Sequence, residues 1–257
     1  MSRPLVALRE VSQRFGADSG SVTALEAVSL EIPDGQFVAV VGPSGCGKST
    51  LLSLIAGLRP PSSGTVLCDG EPITAPMPRK VGMIFQEANL LPWLSAADNV
   101  AFPLKLRRVP RAERLDAARR MLALTGLAGF EDRLPHQLSG GMKQRVAIAR
   151  GLVQNPAVLL MDEPFASLDE QTRMVLGDEL LRIWSETRKT VLFVTHSLNE
   201  AVYLADRVVV LSARPGRVVD DVAVDLPRPR RFAMTSSERF GVLKERIWQH
   251  IKSAERP

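Results

Sequence analysis

The segment Gly42-Pro-Ser-Gly-Cys-Gly-Lys-Ser49 carries the pattern G-x-x-x-x-G-K-[ST] in full. Before it, the apolar run Phe37 to Val41 reads as a buried strand; after it, Ser49 to Leu58 reads as a helix. In that setting Gly45 and Gly47 let the backbone curl until several N–H groups face one phosphate, and the helix adds its positive end. Lys48 supplies a point charge for the β- and γ-phosphates and Ser49 a hydroxyl ligand for Mg²⁺. The segment therefore predicts a nucleoside triphosphate site built from Gly42, Pro43, Ser44, Gly45, Cys46, Gly47, Lys48, Ser49 and Thr50. Cys46, beside Lys48 and a helix end, is expected to have a lowered thiol pKa. Its alkylation should then block nucleotide binding, and ATP should protect it.

Short strands precede this loop at Leu5 to Leu8 and Ser29 to Ile32, and another follows at Thr65 to Cys68. Strand-like runs resume at Val158 to Met161, Val191 to Val194 and Val208 to Leu211, while Arg111 to Leu124 has the spacing of a helix face. Apolar strands flanked by helical segments predict an α/β fold with a parallel sheet covered on both faces, and a helical subdomain at about 89–150 inserted into it. The 257 residues, 45% hydrophobic and 24% charged, have ordinary globular proportions. No apolar run approaches the length of a membrane span, and Met1-Ser-Arg-Pro-Leu lacks a signal-peptide core, so a cytosolic chain is expected. Two cysteines, Cys46 and Cys68, exclude a disulfide framework or a zinc cluster.

The net charge of +5 is local: residues 227–257 hold 8 Lys/Arg against 3 Asp/Glu, and residues 1–226 hold 25 of each sign. A basic groove for nucleic acid is thereby disfavoured, although the tail has the charge to sit near an anionic membrane surface. Within that tail Phe240, Leu243, Ile247 and Ile251 recur at helical spacing. This amphipathic helix either packs back on the domain or serves a membrane or regulatory role.

Two further segments carry chemistry. The run Val158 to Met161 ends in Asp162 and Glu163, which places two carboxylates at the carboxyl edge of a parallel sheet, where α/β folds bind ligands. Asp162 suits holding Mg²⁺ and Glu163 suits polarising an attacking water. In Leu138-Ser-Gly-Gly-Met-Lys-Gln-Arg145, Ser139 reads as the N-cap of a helix. Gly140 and Gly141 each cost that helix about 1 kcal/mol if they lie within it. Such a cost implies a close approach by another backbone or an anion, and hence a second anion site separate from the first.

With these residues in place, residues 5–226 resemble the ATP-binding subunits of ABC transporters. The signature matches Leu138 to Gly141, the Q-loop glutamine Gln86, the Walker B pair Asp162 and Glu163, the D-loop Ser167-Leu168-Asp169, the switch histidine His196 and the adenine-stacking aromatic Phe15. The resemblance implies a P-loop NTPase (RecA-like) core, an N-terminal antiparallel β subdomain and a helical signature subdomain. It divides the chain into an ATP-binding domain over 1–226 and a basic tail over 227–257. It also implies that Gln86 touches the metal and the attacking water and that His196 contacts the γ-phosphate. Two subunits would pair head to tail, each ATP lying between Lys48 of one and Ser139 of the other, with Gly140, Gly141 and Asp169 also binding nucleotide. Met142 stands where many members have Gln, and Phe15 where Tyr is common.

The segments Asn89 to Val100, Asp162 to Asp169, Ala213 to Arg217 and Leu226 to Arg230 look like the nitrate/sulfonate/taurine importer branch. That resemblance implies two permease subunits, an external solute-binding protein acting indirectly, and a peripheral position on the cytoplasmic face of the inner membrane. The apolar loop from Gln86 to Leu94 suits a socket for a permease helix, with Trp93 read either as part of that socket or as core of the helical subdomain. A lipid-trafficking or export ATPase shares every catalytic motif. A soluble ATPase acting on nucleic acid fits the neutral body poorly.

Overall fold

The computed structural model describes residues 4–16 and 20–254. Residues 1–3, which begin the Met1 to Leu5 stretch, and 255–257, the end of the basic tail, lie outside the described residues. The chain forms two compact units, one of Met1–Met77 with Arg188–Pro257 and one of Pro78–Thr187.

The first unit begins with β1 (Val6–Phe15), β2 (Val22–Ile32), β3 (Phe37–Val41), α1 (Lys48–Ile55), β4 (Ser63–Cys68) and β5 (Glu71–Pro72). It resumes with β8 (Thr190–Val194), α6 (Leu198–Leu204), β9 (Arg207–Leu211), β10 (Val218–Ala223) and α7 (Glu238–Ala254). An antiparallel sheet has the order β2-β1-β4-β5. Its first two strands are longer than the apolar runs suggest, because the register slips between Leu8 and Val11 and again near Gln13. Glu10 and Ala27 both take φ of 48° in this region. Such bulges break the two-residue alternation by which strands are recognised.

In the second sheet of this unit β3 lies between β8 and β9, parallel to both, and β10 runs antiparallel to β9 at the edge. Every residue of β3 and β8 is buried, as a strand covered on both faces requires. The Phe37 and Phe193 rings meet at 6.0 Å and a tilt of 45°. Phe240, Leu243, Ile247 and Ile251 are all buried, so the tail helix packs back, against α6, β9 and β10.

The second unit contains β6 (Val81–Ile84), α2 (Ala96–Leu106), α3 (Arg111–Leu124), α4 (Gly140–Leu152), β7 (Val158–Asp162) and α5 (Glu170–Thr187). β6 and β7 are parallel, with Ile84 beside Met161. Helices α2, α3 and α4 enclose an apolar cluster that includes Val100, Leu122, Leu138 and Val146. Met142 packs against that cluster, which accounts physically for an apolar residue at this place in the signature. No helix among the described residues is long and apolar enough to cross a membrane.

Candidate functional site

In the first unit β3 runs directly into the Gly42–Ser49 loop, and α1 starts at Lys48. Gly47, the residue before the helix, has φ of 103°, and a Cβ there would lie 2.7 Å from Leu25 Cδ2 and 2.9 Å from the Ala24 carbonyl. Only glycine fits that turn. Lys48 is buried, and its ammonium donates to the carbonyls of Gly42 at 2.9 Å and Pro43 at 3.0 Å, so the charge is held across the loop. Ser44, Gly45 and Ser49 are exposed at the loop surface, and Thr50 is half-buried in the first turn of α1.

Cys46 departs from expectation. Its thiol is fully buried, 3.9 Å from the Lys48 ammonium, and burial pushes its pKa up despite that cation. Desolvation of a thiolate outweighs one nearby positive charge here, so the lowered pKa expected from sequence is corrected.

His196 follows β8. The Thr195 amide donates to the Val40 carbonyl, so His196 emerges at the same strand-end edge as Gly42. Phe15 ends β1, and the Arg59 guanidinium lies 4.8 Å from its ring centroid, a cation–π contact. Arg214 was singled out in the sequence only as part of a subfamily-like segment. Its guanidinium donates twice to the Gly45 carbonyl, at 3.2 and 3.1 Å, and so braces the Gly42–Ser49 loop with a further positive charge.

In the second unit the parallel pairing of β6 and β7 brings Gln86, just past β6, to the same strand-end edge as Asp162 and Glu163. Glu163 has φ of 45°, a sparsely populated conformation for a residue with a Cβ, of the kind concentrated at functional sites. Ser139 caps α4 as read from sequence, its hydroxyl accepting from the Met142 amide at 3.3 Å. A Cβ on Gly141 would lie 2.9 Å from Thr172 Cγ2, so the close neighbour is a side chain of α5. Thr172 in turn donates from its amide and hydroxyl to Asp169, at 2.9 and 2.7 Å. The Thr172 hydroxyl bond is the main cause of the lowered Asp169 pKa.

The loop after Gln86 is held by two residues that sequence reasoning missed. Asn99, fully buried, donates to the carbonyls of Leu91, Leu94 and Ser95 and accepts from the Leu91 amide. Arg150 of α4 donates to the carbonyls of Ala88 at 2.6 Å and Asn89 at 2.9 Å, and burial lowers its pKa. The apolar loop is thus fixed while Trp93 stays 72% exposed, which settles its two readings in favour of a surface residue. An Asn in a helix interior surrounded by apolar residues was the one available signal for Asn99.

Among the described residues no group of three or more His, Cys, Asp or Glu side chains is placed to hold a metal ion. The donors expected from sequence, the Ser49 hydroxyl in the first unit and the Asp162 carboxylate and Gln86 amide oxygen in the second, are hard oxygen ligands. They are of the type that complements phosphate and water around Mg²⁺.

The ABC transporter family matches residues 25–166. The chain belongs to that family. This ABC ATPase is 47% identical over 250 residues to an uncharacterized ABC transporter ATP-binding protein of Methanocaldococcus jannaschii, covering 95% of this chain and 93% of that one. It is 43% identical over 247 residues to the aliphatic sulfonates import ATP-binding protein SsuB of Bacillus cereus, covering 96% of each. A solved dimeric ATP-binding cassette in a post-hydrolysis state, bound to ADP and Pi, superposes with a TM-score of 0.76 at 34% identity, over 86% of this chain and all of that one. The ABC ATPase therefore has the P-loop NTPase fold, binds ATP and is an ATP hydrolase.

Proposed function

We propose that this ABC ATPase energises uptake of a small anion or organosulfur compound, of the nitrate, sulfonate or taurine type, through separate permease subunits. The observation that carries this reading is the end-to-end similarity to a protein named for aliphatic sulfonate import. The fixed, exposed apolar loop at Gln86 to Leu94 supports it, since a rigid surface aromatic is the usual anchor of a protein interface. Two such subunits pair in the ATP-bound state on the cytoplasmic face of the membrane, beside two permease subunits, with an external solute-binding protein delivering the cargo.

In this reading Phe15 stacks on adenine, and the loop from Gly42 to Thr50 holds the phosphates. Ser49, Gln86 and Asp162 serve Mg²⁺, which when bound would neutralise charge on the β- and γ-phosphates. Glu163 polarises the attacking water, Gln86 orients it and His196 contacts the γ-phosphate. Ser139, Gly140, Gly141 and Asp169 of the second subunit close over the triphosphate, the capped start of α4 favouring its negative charge. Hydrolysis removes the ligand that holds the two subunits together, and that opening drives the permease.

The test is uptake of labelled nitrate, taurine, an alkanesulfonate and a pyrimidine precursor by cells carrying Glu163→Gln or Trp93→Ala. Glu163→Gln should abolish uptake of one class and spare the rest. Trp93→Ala should lose the same uptake while the purified protein binds ATP normally. No loss in any class overturns import; normal uptake with Trp93→Ala removes the docking role of the loop.

A further inference from the structure

The tail holds a buried cation that the proposed chemistry does not use. Arg230 is 8% exposed and donates to the carbonyls of Val202 at 3.2 Å, Tyr203 at 2.9 Å and Ala205 at 2.6 Å. These lie in the last turn of α6 and just past it, where helix carbonyls lack intrahelical donors and the dipole is negative. Arg228 reinforces the same end, donating to the Leu204 carbonyl and to Asp206, each at 2.8 Å. The tail helix α7 packs along α6, with the Lys244 ammonium 3.4 Å from the Asn199 amide oxygen in its first turn.

At its other end α6 is tied to the residues on either side of His196. The Thr195 hydroxyl donates to Glu200 Oε2 at 2.6 Å, the Ser197 amide donates to the Thr195 hydroxyl at 2.9 Å, and Ser197 caps α6 through the Glu200 amide. One continuous set of hydrogen bonds thus runs from Arg230, through a two-turn helix, to the backbone that carries His196.

For stability alone this is a poor arrangement. Burial draws the Arg230 pKa down to about 10, and Nε finds no acceptor among the described residues. A buried ion is weak support for a fold and is better suited to fixing one geometry.

We propose that Arg230 is a positioning residue for hydrolysis: by clamping the C-terminal end of α6 it sets the place of His196 at the γ-phosphate. The tail then acts on the chemical step through the histidine and leaves the binding of ATP to the loop at Gly42–Ser49. This rests on the reading of His196 given above, and the experiment separates the two.

Steady-state kcat, KM and equilibrium ATP binding are measured for His196→Ala, Arg230→Met, Arg230→Lys and Arg228→Ala, with the imidazole resonances of His196 and His136 followed by NMR. Arg230→Met should lower kcat about five- to tenfold with KM and Kd for ATP within about twofold, the pattern of a lost transition-state contact. Arg230→Lys should recover part of kcat, since an ammonium still serves carbonyls, and Arg228→Ala should show a smaller loss of the same kind. The His196 resonance should move in Arg230→Met while that of His136 stays. Wild-type kcat in Arg230→Met, a rise in KM with kcat intact, or an unmoved His196 resonance overturns the proposal. Should Arg230→Met fail to fold, unchanged kcat and an unmoved His196 in Arg228→Ala overturn it equally. Wild-type kcat in His196→Ala overturns the reading of the histidine and this proposal with it.

Discussion

Cys46 shows how one residue's chemistry is set by its surroundings. Its neighbours in sequence, Lys48 and a helix start, argue for a thiolate, yet the side chain points into the body of the first unit. There the loss of hydration dominates, and the pKa rises above the ordinary 9.0. Cys68 is buried too. A thiol reagent at pH 7.5 should therefore leave both cysteines of the folded protein essentially unreacted over minutes, with or without Mg-ATP, and find both after denaturation. Because the pKa is raised, reactivity should grow only as pH climbs past 9, the sign opposite to that of an activated loop cysteine. Rapid labelling of native Cys46 at pH 7.5 would contradict this account.

At the scale of elements, α4 and α5 meet where the signature glycines sit. Gly141→Ala would raise helix propensity by about 1 kcal/mol, but its Cβ would press on Thr172, which two hydrogen bonds tie to Asp169. We expect the two effects to cancel in stability to within about 1 kcal/mol, while ATPase activity falls tenfold or more. Displacement of Thr172 should also return the Asp169 pKa toward the usual carboxylate value. The low folded pKa gives stability that is present above the unfolded pKa and lost as pH falls through the folded one, so that acid-sensitive part should shrink. Thermal melts from pH 2 to 7, steady-state rates and an NMR titration of Asp169 check the three statements. The same elements show where sequence patterning stops. Arg111 to Leu124 and Phe37 to Val41 were legible to the residue as α3 and β3, and the strand at Val158 to Met161 nearly so. β10 was not read, since Asp220 and Asp221 interrupt its apolar run; Asp220 is taken up by Arg246 and His250 of α7, far along the chain. α2 carries Pro103 within it and holds its place through Ser95 and the buried Asn99.

For the whole molecule, the basic tail proves to be largely an attachment. Arg228 pairs with Asp206, Arg239 with Asp225 and Arg246 with Asp220, and Arg230 serves backbone carbonyls, so much of the local surplus is spent on the first unit itself. The proposed head-to-tail pairing around ATP makes a prediction at this scale. Glu163→Gln should run at twice the monomer mass in size-exclusion chromatography with ATP, and as a monomer with ADP or when Lys48→Ala is added. A monomer under ATP would argue against ATP as the bridging ligand.

By itself the sequence determined the glycine-rich loop between a strand and a helix, the carboxylate pair at a strand end, the capped helix at Ser139 and the amphipathic tail, because each is written in residues close together along the chain. Backbone curvature, caps and buried faces follow from such short-range patterns. Only the tertiary structure decided that Cys46 is buried with a raised pKa, that Gly141 lies against Thr172, that Arg214 braces Gly45 and that Arg230 clamps α6. Each of these depends on a partner distant in sequence, and periodicity tells which face of an element is buried while saying nothing of what will cover it.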